Sequence, residues 1–236
     1  MFKTKIKEYT VYYSNKEEFK ILKKEIFDQE IYKISLKNET PVIFDIGGHI
    51  GMATIYFKIK YPNSKVTVFE PNPNVLHILQ DNIIGNSINN VEIKDIAINS
   101  KEGIKDFYFD SSGNDCFSTA GFLKGSWNGK QSTIKIEVKT DILSKYITQE
   151  IDLIKIDTEG NELNILKEIE NKLDIVRNLI IEYHPIKKKN LNEILNILKR
   201  NNYELKYILE GKVVKNPMNE LMLIKASKRI NQNMKI

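Results

Sequence analysis

Asp45, Gly47 and Gly51 cluster at the end of one apolar run, Val42 to Ile46, and Glu70 closes the next, Val66 to Phe69. The first run reads as a strand buried on both faces. Between the runs, Met52, Ile55, Tyr56 and Ile59 recur at i, i+3, i+4 and i+7, the apolar stripe of a helix. Gly47 and Gly51 bracket the turn from strand to helix, where the missing Cβ lets backbone approach a ligand closely. Glu70 lies nineteen residues after Gly51, at the tip of the second strand. A carboxylate there can accept hydrogen bonds from both hydroxyls of a ribose. The unit is therefore expected to grip an adenosine-bearing cofactor without needing phosphates.

Which cofactor follows from what is missing. A dinucleotide site would need G-x-G-x-x-G facing a pyrophosphate. Here the spacing is Asp45-x-Gly47-x-x-x-Gly51, with His49 in the slot of the second glycine, and a P-loop Gly-Lys-Ser/Thr is absent. An acid at the strand tip suits a ligand with an ammonium group, which S-adenosylmethionine has. Asp45 is expected to attract that amine, Gly47, Gly48 and Gly51 to pass the methionine tail, and Glu70 with Pro71 to hold the ribose. Asp95 and Ile96, ending the third strand, are placed to meet adenine.

Two further strand ends carry titratable groups: Asp157-Thr158-Glu159-Gly160-Asn161-Glu162 after Ile156, and Glu182-Tyr183-His184 after Ile181. Asp157, Glu159, Glu182 and His184 would converge on one rim, and such groups are costly to assemble unless used for base or metal chemistry. Each also has a plainer reading. Lys155 inside its apolar strand would pair with a neighbouring carboxylate, Glu159 and Glu162 would complement a helix dipole, and His184 would cap a strand.

These residues need a scaffold of alternating strands and helices. The pattern gives strands at 42–46, 66–70, 91–96, 152–157 and 178–183, helices at 51–61, 73–84, 141–147 and 161–171, and a helix marked by Leu191, Ile194, Leu195 and Leu198. Tyr203 to Leu209 and Leu221 to Lys225 follow as a closing antiparallel pair. The expected fold is α/β, a doubly wound, mostly parallel seven-stranded sheet. Residues 1–40 read as a partly helical arm with a face of Phe19, Leu22 and Ile26 and a short strand at Ile31 to Leu36. Residues 41–226 form the main domain, and 227–236 a basic flexible tail. Between weak strands at Ile104 to Phe109 and Ile134 to Val138 runs a polar, glycine-rich stretch with the only tryptophan, Trp127, read as a long inserted loop over the active face.

Composition bounds the rest. The 236 residues carry 36 basic and 31 acidic side chains, a net charge of +5, too balanced to demand nucleic acid or a membrane. The single Cys116 excludes an internal disulfide. The N-terminus lacks the apolar core of a signal peptide, and no apolar run approaches the roughly 18 residues of a membrane span, so the cytoplasm is expected.

The blocks Phe44-Asp45-Ile46-Gly47-Gly48-His49-Ile50-Gly51, Phe69-Glu70-Pro71-Asn72-Pro73 with Asn82 downstream, and Lys155-Ile156-Asp157-Thr158-Glu159-Gly160-Asn161-Glu162 followed by Glu182-Tyr183-His184 resemble the FkbM-type methyltransferases over roughly residues 41–185. Gly48 stands where that family commonly has alanine, and so does Asn161. The resemblance implies a class I, Rossmann-like fold and O-methylation of a sugar, glycan or polyketide hydroxyl, on a free, nucleotide-linked or lipid-linked acceptor. A hydroxyl is a poor nucleophile at neutral pH, so His184 or Asp157 is expected as base. Glu159 and Glu182 would orient it, or would hold Mg²⁺ together with Asp157 as an all-oxygen site.

Three other functions are weighed against this. A nucleic-acid methyltransferase would explain the charge, but basic residues are dispersed except at Lys187-Lys188-Lys189. The Asn-Pro-Pro-Tyr type tetrad for planar amines is also replaced by Lys155-Ile156-Asp157-Thr158. An aminopropyl transferase would need an acid-lined polyamine pocket. A non-catalytic S-adenosylmethionine-binding scaffold in glycan assembly would not need the rim.

Overall fold

The computed structural model describes residues 1–110, 120–124, 133–186 and 188–229. Trp127, Cys116, most of the expected loop and the expected tail from residue 230 onward lie outside them. The arm begins with a hairpin the sequence did not signal, β1 (Phe2–Ile6) and β2 (Tyr9–Tyr13). Helix α1 (Lys16–Lys23) follows, capped by Asn15, whose side chain accepts from the backbone of Glu17 and Glu18, and it runs on as one π-helical turn, Lys24–Asp28. The expected strand at Ile31 to Leu36 is not formed; backbone groups of that segment pair with side chains instead, Lys33 O with Lys225 and both Ile34 O and Leu36 N with Tyr61.

The two βαβ units follow the sequence pattern closely: β3 (Val42–Ile46), α2 (Met52–Lys60), β4 (Lys65–Phe69), α3 (Pro73–Ile83) and β5 (Val91–Lys94). The third strand therefore stops before Asp95. Next come β6 (Ala97–Ile98), β7 (Gly103–Asp110) and β8 (Thr133–Asp141), which form a separate three-stranded sheet in the order β6-β8-β7. The expected helix at 141–147 shrinks to one 3-10 turn, Leu143–Lys145, tied by Glu168, which accepts from the backbone of Leu143 and Ser144. The chain then runs through β9 (Leu153–Ile156), α4 (Glu162–Glu168) with a 3-10 continuation at Glu170–Ile175, β10 (Asn178–Tyr183), α5 (Lys188–Arg200), β11 (Tyr203–Leu209), β12 (Lys212–Val214) and β13 (Met222–Lys228).

The main sheet has the order β12-β11-β13-β10-β9-β3-β4-β5. Strands β10, β9, β3, β4 and β5 are parallel, and β13 is inserted antiparallel between β10 and β11. These are the seven expected strands, with the short β12 as an eighth at the edge. The chain winds outward from β3 to β5 and returns to β9 on the other side of β3. The topological switch point, where ligands sit in open parallel sheets, therefore lies between the carboxyl ends of β3 and β9.

Strand alternation sorts side chains to two cores. Phe44, Ile46, Ile154 and Ile156 pack towards α4 and α5, whereas Ile43, Val68, Leu153 and Ile180 pack towards α2, α3 and the arm. Asp45 and Lys155 fall on the second face. The arm is fastened to that face by Asn82 of α3. Its side chain accepts from Tyr12 N (2.6 Å) and donates to Tyr12 O (3.0 Å) and to Ile50 O (2.7 Å) in the glycine turn. Asn86 repeats the pairing on Thr10. Replacing Asn82 by Ala strands these backbone groups, and a loss of about 2–3 kcal/mol in unfolding free energy is expected. Limited proteolysis would then cut the arm before the rest of the chain. An unchanged denaturation midpoint with an uncut arm would show that other contacts dock the hairpin.

Candidate active site

The glycine turn is shaped by what it must pass. Gly47 has φ +79°, and a Cβ there would sit 1.8 Å from the Asp157 carbonyl oxygen, so backbone of the β3 and β9 ends meets at a point only glycine allows. At Gly48 a Cβ would lie 2.2 Å from Val68 Cγ1, so in this chain the alanine common in the resemblance would clash. Both amides donate to Phe69 O, at 3.0 and 3.1 Å. His49 takes the strained φ of +48°, which aims its amide at Glu70 Oε2 (2.7 Å), while Asn72 N donates to Glu70 Oε1 (2.8 Å). Glu70 is buried. Desolvation pushes its carboxyl up to about 7, against the lowering effect of the Asn72 and His49 amides.

At the other side of the switch point, Lys155 Nζ donates to Gly47 O (2.7 Å) and stands 3.2 Å from Asp45 Oδ1 and 3.3 Å from Asp157 Oδ2. Burial opposes its charge, but Asp45, Asp157 and Glu182 outweigh it and raise the ammonium's pKa. The plainer reading of Lys155 thus holds, and it corrects the expectation for Asp45. That carboxylate is fully buried, faces α2 where Thr54 Oγ1 donates to it (2.7 Å), and is matched by Lys155 rather than turned to a ligand.

The rim groups do converge. Glu162, deeply buried at the start of α4, accepts from Gly160 N (2.8 Å) and meets His184 Nδ1 at 2.9 Å. Glu159, at φ +54°, places Oε2 3.6 Å from His184 Nε2. Tyr32 of the arm donates to Glu182 Oε2 at 3.4 Å. Burial alone would discharge the imidazole, but the Glu162 hydrogen bond and the charges of Glu159, Glu162 and Asp157 raise His184 to about 10. It is thereby held as an imidazolium at neutral pH and serves as base only after losing that proton. Burial pushes Glu159 well above the usual carboxylate range despite His184, and Glu182, buried beside Asp157, rises to about 8.

These groups share a cavity of about 330 Å³. Of the expected contacts it is lined by Gly47, Gly48, Glu70 and Pro71 on one side and by Asp157, Glu159, Glu182 and His184 on the other. Asp45, Gly51, Asp95 and Ile96 are not in its wall. Gly51 instead caps α2 and packs on Leu79, and Asp95 is exposed beyond the end of β5. Ala97 and Ile98, the next two residues along the chain after Ile96, line the cavity instead. Asn161 holds Ile98 there by donating to its carbonyl (3.0 Å), which gives a use to the second departure from the family pattern.

The expected all-oxygen set of Asp157, Glu159 and Glu182 is also corrected. The donor atoms that lie within 4.8 Å of one another belong to Asp157, Glu182 and His184. The sequence reading missed Lys155, Glu18, Glu25 and Tyr32 as wall residues. Glu18 and Glu25 stand two helical turns apart on the stripe of Leu22, a signal available in the sequence but indistinguishable there from a solvated edge. Ala120 and Phe122, the described piece of the inserted segment, complete the wall, with Phe122 edge-on to Phe107.

Removing one partner of a buried ion pair leaves the other charge uncompensated, at about 3–5 kcal/mol. Lys155→Met is therefore expected to destabilise the fold by that amount in denaturant titration. Adding Asp45→Asn should recover part of the loss. If the double variant is as unstable as the sum of the two singles, Lys155 and Asp45 are not coupled.

Comparison with known proteins identifies the family. Residues 45–205 match the model of the methyltransferase FkbM domain. Methyltransferase sdnD of Sordaria araneosa is 28% identical over 200 residues, covering 72% of this chain and 77% of its own. The hexuronic acid methyltransferase AglP of Haloferax volcanii is 26% identical over 171 residues, covering 71% and 67%. The crystal structure of methyltransferase FkbM from Methylobacillus flagellatus KT superposes with a TM-score of 0.58 at 15% identity, over 87% of this chain and 47% of that one, a likeness of fold alone. The chain belongs to the FkbM-domain methyltransferases, S-adenosylmethionine-dependent enzymes on a class I α/β fold.

Proposed function

We propose that this enzyme methylates a hydroxyl of a sugar, glycan or related small natural product. The observation that carries the reading is the single cavity that runs from Glu70 to the rim of Asp157, Glu182 and His184. At its first end each Glu70 oxygen takes one backbone amide and keeps lone pairs for the ribose hydroxyls. Ala97 and Ile98 offer adenine an apolar wall, and the Cβ-free Gly47 and Gly48 pass the methionine tail. When bound, S-adenosylmethionine would supply an electrophilic methyl group and leave as the neutral thioether. At the cavity's second end a rim carboxylate, Asp157 or Glu182, would take the proton of the acceptor hydroxyl that receives the methyl group. Alignment and exclusion of water supply most of the acceleration. The Haloferax volcanii relative, a hexuronic acid methyltransferase, supports a sugar acceptor. An RNA substrate fits less well, because Glu18, Glu25 and Glu70 join the rim acids in facing the cavity and would repel a phosphate backbone.

Incubation with methyl-labelled S-adenosylmethionine and a panel of neutral, nucleotide-linked and lipid-linked sugars is expected to give an alkali-stable methyl ether. Label released by mild alkali would mean a carboxyl ester, and label only in RNA would overturn the reading.

Binding should also depend on pH. Ribose hydroxyls donate to ionised Glu70, whose carboxyl is raised to about 7, so cofactor affinity is expected to rise about tenfold between pH 6 and 8. Glu70→Gln should bind more weakly and flatten the profile in calorimetry. By the same linkage Glu70 stabilises the fold below its ordinary value of 4.5, and that contribution is lost as pH rises towards 7.

A further inference from the structure

We propose that Asp157, Glu182 and His184 form a binding site for one divalent cation of the first transition row, distinct in donor set from a magnesium site. The inference rests on the hydroxyl-methylation reading for its use but not for its test. Three ligand atoms on the ends of two adjacent parallel strands, two carboxylate oxygens and one imidazole nitrogen, lie within 4.8 Å of one another in the cavity wall. Mixed oxygen and nitrogen donors suit Mn²⁺, Fe²⁺, Co²⁺ or Zn²⁺, whereas Mg²⁺ prefers oxygen alone.

Independent features point the same way. His184 is almost wholly buried, and Glu162, equally buried, grips its Nδ1 at 2.9 Å. That is the carboxylate–histidine arrangement that fixes ring orientation and tautomer in metal-bound histidines. Glu159 Oε2 is sealed from solvent beside the cluster and accepts no hydrogen bond. The cavity also faces Glu18, which pairs with His49, and Glu25, and Lys155 is already engaged by Gly47, Asp45 and Asp157. A divalent ion bound at the three donors would displace the His184 proton and would give an acceptor oxygen a Lewis acid.

The test is titration of the purified chain with Mn²⁺, followed by loss of the free-ion electron paramagnetic resonance signal, with Mg²⁺ as competitor. One Mn²⁺ per chain is expected, retained against a tenfold excess of Mg²⁺. His184→Ala and Glu182→Gln should each weaken binding at least tenfold, and Glu162→Gln about tenfold through ring orientation. Cofactor calorimetry and thermal melts on the same samples show whether each variant is folded. Where His184→Ala does not fold, Glu182→Gln and the Mg²⁺ competition decide. The proposal is overturned if a wild type that binds S-adenosylmethionine takes up no Mn²⁺. It is also overturned if Mn²⁺ binding ignores the folded substitutions, or if Mg²⁺ displaces it at equal concentration. Failure of the methylation assay with Mn²⁺ bound would instead count against the acceptor class.

Discussion

The site depends on one buried ammonium. Lys155 lies opposite Asp45 in the parallel register of β9 and β3, so the ladder that aligns the two strands also sets the pair 3.2 Å apart. From there Nζ reaches the Gly47 carbonyl and Asp157. The cofactor turn and the chemical rim are thus fixed to each other through one side chain. A lysine in so dry a place survives because three carboxylates surround it, and those carboxylates tolerate burial because it is there. The close approach of Gly47 to the Asp157 carbonyl is the steric counterpart of the same constraint.

Charge at the rim is arranged in layers. Glu162 holds His184 from behind, while Glu159, Asp157 and Glu182 crowd it from the cavity side. The imidazole is consequently a resident cation among acids rather than an idle base. Burial is what chiefly lifts Glu182 and Glu159, with the neighbouring acids adding to it, so positive charge brought into the cavity would draw both back down.

The wall opposite the strand ends comes from elsewhere in the chain. The family match covers 45–205, yet Glu18, Leu22, Glu25 and Tyr32 of the preceding arm face the cavity. The arm's hairpin is held by paired side-chain amides from α3, while its helix and the segment after it pack on the main sheet, where Tyr32 meets Glu182 and Lys225 donates to the Lys33 carbonyl.

The sequence by itself determined the parallel core, the glycine turn and the strand ends that carry Glu70 and the four rim residues. Each of these depends on local spacing: an apolar run, a turn and a polar tip place side chains at a strand's carboxyl end whatever the neighbours are. It misjudged Asp45, Gly51, Asp95 and Ile96, and gave no sign of the hairpin β1–β2 or of the arm's place in the wall. Tertiary structure alone decided these, because strand register sets which charge meets Lys155, and β5 ends at Lys94, so that Ala97 and Ile98 reach the cavity while Asp95 and Ile96 do not. The rim histidine was legible as a residue, but its proton and its grip by Glu162 follow from burial and distance, which exist only once α4 packs beside β10.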